Sequence, residues 1–240
     1  MPKYSEIADK AGKIIQDARN GVFAPVYLLM GTEPYYPDLV CGEIIKYALS
    51  DAERDFNQSV YYGLDTDADT VASDARSYPM MAERRLVVLK EAQNMKTLEA
   101  LSVYAAEPME STVLVILMHG ASSDKRKALY KNVQKNGIVL ESESLRDYEM
   151  PGWIASFYKS KGLNIDPDAA ALLAEYSGTE LDKIVIETEK LQKNLPEGTV
   201  NVTAADIEKN VGISRQFSIF ELTKELSCMN VQKAMKIAAY

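Results

Sequence analysis

Nucleotide chemistry in an α/β chain is normally done in the loop after the first strand, where a helix N-terminus can hold phosphate. Here that loop reads Gly31-Thr32-Glu33-Pro34-Tyr35-Tyr36-Pro37-Asp38. Aligned from Gly31 with the phosphate loop G-x-x-x-x-G-K-[ST], the second glycine becomes Tyr36, the lysine becomes Pro37 and the Ser/Thr becomes Asp38. Each change is adverse. A tyrosine obstructs the close approach of backbone N–H groups to phosphate, and a proline offers neither an N–H nor an ammonium. An aspartate at the helix start satisfies the helix dipole itself and repels a second anion. The residues therefore spell an ordinary strand-to-helix loop capped by Asp38.

Other reactive residues are no better placed. The apolar run Val113 to Leu117, a strand, ends in Met118, His119 and Gly120, without the carboxylates that would hold magnesium or orient water. His119 is the sole histidine, which removes every multi-histidine metal site. As a general base it would need a nucleophile and an orienting acid, and spacing supplies neither. Asp65, Asp67 and Asp69 alternate as in a calcium loop, but Thr70 and Val71 follow where the pattern calls for a glycine, and the closing glutamate is missing. An acid-rich turn leading into a helix accounts for them. Cys41 and Cys228 are too far apart in sequence to indicate a disulfide framework or a zinc knuckle. No catalytic, cofactor-binding or metal-ligating residue is assigned.

The elements that carry these residues alternate. Helical spacing is read over 5–20, 38–49, 68–77, 97–106 and 124–135. Short apolar runs at 26–30, 86–89, 113–118 and 138–140, together with Gln58 to Tyr62, read as strands. Such alternation predicts right-handed βαβ crossovers and a mostly parallel sheet covered on both faces. After about residue 145 no strand candidate remains. Helices are predicted over 151–161, 167–176, 179–194 and 203–210, the last opened by Thr203. Residues 212–216 read as a linker, and 217–228 and 231–240 as further helix. This reading divides the chain into an α/β domain (1–145), a small helical domain (146–212) and the start of a third (213–240), as though a longer protein had been cut.

Composition bounds the rest. Of the 240 residues 47% are hydrophobic and 26% charged, as in a globular chain that buries a core. No apolar run approaches the roughly 18 residues of a membrane span, and the N-terminus lacks an apolar signal core, so a cytoplasmic, non-membrane protein is expected. The net charge of −8 argues against a surface that wraps nucleic acid throughout, although not against a local basic patch.

Four segments resemble one family, the delta subunit of the bacterial DNA polymerase III clamp loader. Val26 to Tyr35 is similar to its first strand and loop, YLLxGxE(E/P)xY. Tyr78-Pro79-Met80-Met81-Ala82-Glu83-Arg84-Arg85-Leu86-Val87-Val88-Leu89 resembles the segment slPlFaerRlVvl, the most specific piece. Asp124 to Tyr130 is similar to dkRkklyk, and Ile184 to Leu191 to a helix i..EieKL. The resemblance implies an AAA+-like core without a working phosphate loop, a helical lid, and a collar domain beginning near Phe217 and mostly absent. It implies a non-catalytic subunit without a cofactor that holds the sliding clamp (beta subunit) open for loading onto primed DNA. Its other partners would be the delta prime and tau/gamma subunits.

In the family, two apolar residues before aerR plug a pocket on the clamp. Carried over, these are Met80 and Met81, flanked by Pro79, Ala82, Glu83 and Arg84; the family often has leucine and phenylalanine at the pair. By residue type alone the two methionines read better as core residues leading into the strand at Leu86, since methionine is commonly buried, and it is the resemblance that favours the plug. Of Arg84 and Arg85, at least one is expected to be structural. Lys125, Arg126, Lys127, Lys131 and Lys135 make a basic stretch, with 124, 127, 131 and 135 on one face of the predicted helix. Lys125, Lys127, Lys131 and Lys135 are candidate contacts to the DNA backbone, and a solvated face is the plainer alternative. Two other classes remain: a divergent α/β NTPase, and a small-molecule enzyme using His119.

Overall fold

Six consecutive buried residues, Val26–Gly31, form β1 at the heart of the first compact unit, Met1–Leu145. The computed structural model describes residues 3–196 and 198–210, together with positions 226, 227, 229, 231, 232 and 235. In chain order the first unit contains α1 (Lys3–Arg19), β1, α2 (Tyr35–Ala48), α3 (Asp51–Asn57), β2 (Gln58–Tyr62), α4 (Ala68–Ala75) and β3 (Arg85–Lys90). α5 (Ser102–Ala106), β4 (Thr112–Leu117), α6 (Ala128–Asn136) and β5 (Ile138–Ser142) complete it.

All strands pair in parallel, in the order β2-β3-β4-β1-β5. β1 and β4 are buried along their full length, which explains why they read as continuous apolar runs rather than alternating ones. On one face Leu28, Met30, Val87, Leu89, Leu114 and Ile116 pack against Val71, Leu101, Tyr104, Leu129 and Val133 from the helical side. Each such aliphatic side chain contributes about 1.5–3 kcal/mol by leaving water. The fold of this unit is of the expected α/β class, built on a five-stranded parallel sheet.

Several elements depart from the sequence expectation. α3 was not foreseen. It opens with Ser50, whose N–H and hydroxyl both donate to the Glu53 carboxylate, at 2.8 and 2.6 Å. Residues 97–106 are not one helix but a 3-10 turn, Leu98–Leu101, followed by α5. α2 starts at Tyr35, so Asp38 lies within its first turn rather than capping it. Pro37 is tolerated there because the first-turn N–H groups have no helical acceptor to lose.

α6 begins only at Ala128, not at Asp124. Upstream of it the Asp124 carboxylate accepts the Arg126 N–H at 2.9 Å and so favours a turn. The Leu129 N–H is capped by Glu99 Oε1 at 3.0 Å, an acceptor from a distant segment that sequence periodicity cannot reveal.

The second unit begins at Arg146 and contains α7 (Met150–Ser160), β6 (Asn164–Ile165), α8 (Pro167–Ser177), α9 (Leu181–Asn194), β7 (Asn201–Val202) and α10 (Ala204–Asn210). Its core includes Trp153, Tyr158, Leu173, Ile184, Leu191 and Ile207. The expectation of helices alone is corrected by β6 and β7, which pair in parallel. Two residues are too few to show a strand period. Asn164 N–H donates to Val200 O at 2.7 Å and Asp166 N–H to Val202 O at 2.9 Å, tying together the approaches to α8 and α10. The expected linker at 212–216 and the helices over 217–240 fall almost entirely outside the described residues.

Candidate functional site

The strand order places β1 between β4 and β5, so the loop after β1 lies where α/β sheets usually bind ligand. Here the chain itself fills that position. Gly31 has φ +137, and a Cβ on it would meet Ser142 O at 1.8 Å, so only glycine fits. Glu33 is 5% exposed. Its N–H donates to Ser142 O at 3.2 Å, and its Oε1 accepts the Tyr35 N–H at 3.1 Å. The N-terminus of α2, where a phosphate would sit, thus already carries an internal carboxylate, and Tyr36 is buried beside it. This arrangement opposes a second anion.

His119 follows β4, with Nδ1 3.2 Å from Asp38 Oδ2 on α2. Its backbone N–H donates to Gln93 Oε1 at 3.1 Å. A groove of about 400 Å³ runs beside it, lined by Asp38, Cys41, Tyr62, Lys90, Glu91 and His119 among others. Asp38 supplies an orienting acid. A nucleophile is not matched to it, since burial pushes the Cys41 thiol up to about 12 and leaves it un-ionised at neutral pH. Asp67 is committed as the cap of α4, accepting the Thr70 N–H at 2.8 Å.

The segment between α4 and β3 is built differently. Residues 77–84 have no regular structure, and the large apolar side chains of Tyr78, Met80 and Met81 are exposed. Tyr78 is 81% exposed, Met80 55% and Met81 99%. The alternative in which both methionines pack into the core is therefore ruled out for Met81, which touches almost nothing. Met81 also has φ +52, a left-handed backbone that costs a non-glycine residue about 1–2 kcal/mol.

A rigid frame holds this loop. At its end, Arg85 is a half-buried anchor, its guanidinium paired with Asp74 of α4, and Tyr61 OH donates to the same carboxylate at 3.1 Å. Arg85 is thus the structural arginine of the pair. Arg84 lies with its guanidinium 4.8 Å from the centre of the Phe23 ring and 3.3 Å from the exposed Glu83 carboxylate. Pro79 and Ala82 are half-buried between these anchors.

One residue of the frame was missed in the sequence. Asn57, the last residue of α3 and 1% exposed, turns its amide onto the loop. Its Oδ1 accepts the Met80 N–H at 2.6 Å, and its Nδ2 donates to Met80 O and to Glu53 O, each at 3.0 Å. The capping box Ser50-Asp51-Ala52-Glu53 was a legible sign of α3, but no local pattern links position 57 to position 80.

The basic stretch does not form one stripe. Lys125 lies before α6 and pairs with Glu141 at 2.6 Å, which holds its ammonium protonated above the ordinary range. Arg126 pairs with Asp124 at 2.8 Å. Lys127 precedes the helix in an extended conformation, while the exposed Lys131 and Lys135 sit one turn apart on α6. The one-face arrangement expected for 124, 127, 131 and 135 is corrected to this pair.

The family model for DNA polymerase III, delta subunit, matches residues 27–143, the span that contains the filled loop, the exposed methionines and α6. Over that span the chain is similar to the DNA polymerase III delta subunit. Its sequence is 28% identical over 218 residues to DNA polymerase III subunit delta of Bacillus subtilis (strain 168), covering 87% of this chain. It spans 62% of the length of that curated relative. The solved structure of the Bacillus subtilis DNA clamp loader delta protein superposes with a TM-score of 0.78 at 24% identity, over 95% of this chain and 70% of that one. That likeness bears on the fold. Among the described residues, no helix is long and apolar enough to cross a membrane.

Proposed function

We propose that this chain is a non-catalytic clamp-loader subunit that grips a ring-shaped sliding clamp through Met80 and Met81. The observation that carries the reading is Met81, a large apolar side chain 99% exposed on a strained backbone inside a well-anchored loop. Solvent gives no reason to keep such a residue there, whereas an apolar pocket on a partner does. Methionine is flexible and polarizable and can fill a pocket that also accepts leucine or phenylalanine. Pro79, Ala82, Glu83 and Arg84 surround the pair as a rim that excludes water, the usual anatomy of a hot spot.

Binding the open clamp more tightly than the closed one would shift the ring toward opening by the difference in affinity, without ATP hydrolysis in this subunit. ATP would act through the partner subunits of delta prime and tau/gamma type. Primed DNA would be met within the assembled loader, with Lys131 and Lys135 as the contacts on α6. Isothermal titration of this chain into the same organism's sliding clamp tests the reading. A Kd of about 1 μM or tighter, equivalent to about −8 kcal/mol, is expected. Absence of binding at clamp concentrations around 100 μM would overturn it.

A further inference from the structure

We propose that Asn57 is the positioning residue of the docking loop: its buried amide fixes the Met80 backbone so that Met81 is presented to the partner before binding. The inference rests on the clamp-docking reading above and adds to it the device that makes the loop competent.

Asn57 is unusual in what it satisfies. A buried primary amide must find partners for its donors and its acceptor. All the hydrogen bonds of this amide go to main chain, and two of the three go to a single residue, Met80, engaging both its N–H and its C=O. An amide paired in this way imitates a neighbouring strand. It holds the Met80 peptide groups in place without covering the Met80 side chain, which stays 55% exposed. The next residue, Met81, then takes the left-handed conformation and full exposure.

The third bond, to Glu53 O inside α3, ties the loop to a helix rather than to another loop. That helix is fixed at its start by the Ser50–Glu53 box. A loop without this clamp would sample many conformations and would have to be ordered on binding. Freezing a rotamer-rich side chain at an interface lowers affinity by about two- to tenfold.

The experiment measures clamp affinity, melting temperature and amide hydrogen exchange of the peptide around Met80 for the wild type, N57A, M81A and the N57A/M81A double variant. N57A is expected to weaken clamp binding about tenfold, to speed exchange at Met80, and to leave the melting temperature within a few degrees. In the M81A background the same N57A change should cost less than about threefold, because the side chain being positioned is gone. Wild-type affinity in N57A, or an equal loss in both backgrounds, would overturn the proposal.

Should N57A not fold, N57D serves instead. It keeps an acceptor for the Met80 N–H but cannot donate to the Met80 carbonyl, and wild-type affinity in N57D would also overturn the proposal. Failure of the docking reading itself looks different: M81A would then bind the clamp as the wild type does.

Discussion

Three side chains decide the chemistry at the residue scale. Glu33 occupies the helix start that a phosphate would use, Cys41 is withdrawn from reactivity, and Met81 is exposed against its own preference. The second gives a direct prediction. With the thiol raised from 9.0 to about 12 by burial, the folded chain holds roughly a thousandfold less Cys41 thiolate at pH 8 than the unfolded chain. In a Cys228→Ser background, a thiol-specific reagent should therefore react slowly with folded protein and fast in denaturant. Raising the pH from 7 to 9 should speed both reactions, since thiolate rises with pH in each, but the folded reaction should stay slower by several hundredfold or more throughout. Fast labelling of the folded chain would place Cys41 in the groove beside His119 as a usable nucleophile.

The failed phosphate loop was legible because Tyr36, Pro37 and Asp38 are wrong for the task by residue type alone. The replacement of phosphate by Glu33 was not legible, because it depends on Ser142 approaching Gly31 from a strand more than a hundred positions later. Met80 and Met81 were singled out only through the resemblance. By type they read better as core residues, and exposure is a property of the fold.

At the scale of elements, hydrophobic period located every strand of the parallel sheet, since runs such as Val26–Met30 and Val113–Leu117 are apolar whichever face they present. It failed where an element's boundary is set by a remote partner. α6 starts late because Glu99 caps it, and α3 was overlooked although its capping box is in plain sight. The late start matters for nucleic acid. Lys131 and Lys135 are exposed on α6, with Lys131 in the field of Asp124, whereas Lys125 is tied directly to Glu141 at 2.6 Å. In the assembled loader, K131E/K135E should weaken primed-DNA binding and reduce the slope of log K against log salt by roughly two, one counterion per lost phosphate contact. K125E should do much less. Equal losses from both variants would return the basic stretch to a general field effect.

For the whole molecule, the net charge of −8 is awkward for nucleic-acid binding and compatible with the proposed docking, in which the main contact would be apolar. A small patch of two methionines on a stiff frame needs no favourable global field. The fold also implies a division of labour, in which a parallel sheet of nucleotide-binding type is kept as scaffold while its ligand loop is closed by the chain's own carboxylate. Titration of Mg-ATP to about 1 mM into this chain should accordingly give no saturable heat, because a polyanion would have to displace a hydrogen-bonded Glu33. A binding isotherm with a stoichiometry near one would revive the reading as a divergent NTPase.

The central claim, that the exposed methionines serve binding and not folding, is tested most directly by the paired serine variant M80S/M81S. Its affinity for the sliding clamp should fall at least about 30-fold, as for the loss of a hot spot worth about 2 kcal/mol. Its melting temperature should stay within about 2 °C of the wild type, as for other exposed substitutions. Retained clamp affinity together with a large drop in melting temperature would contradict the account.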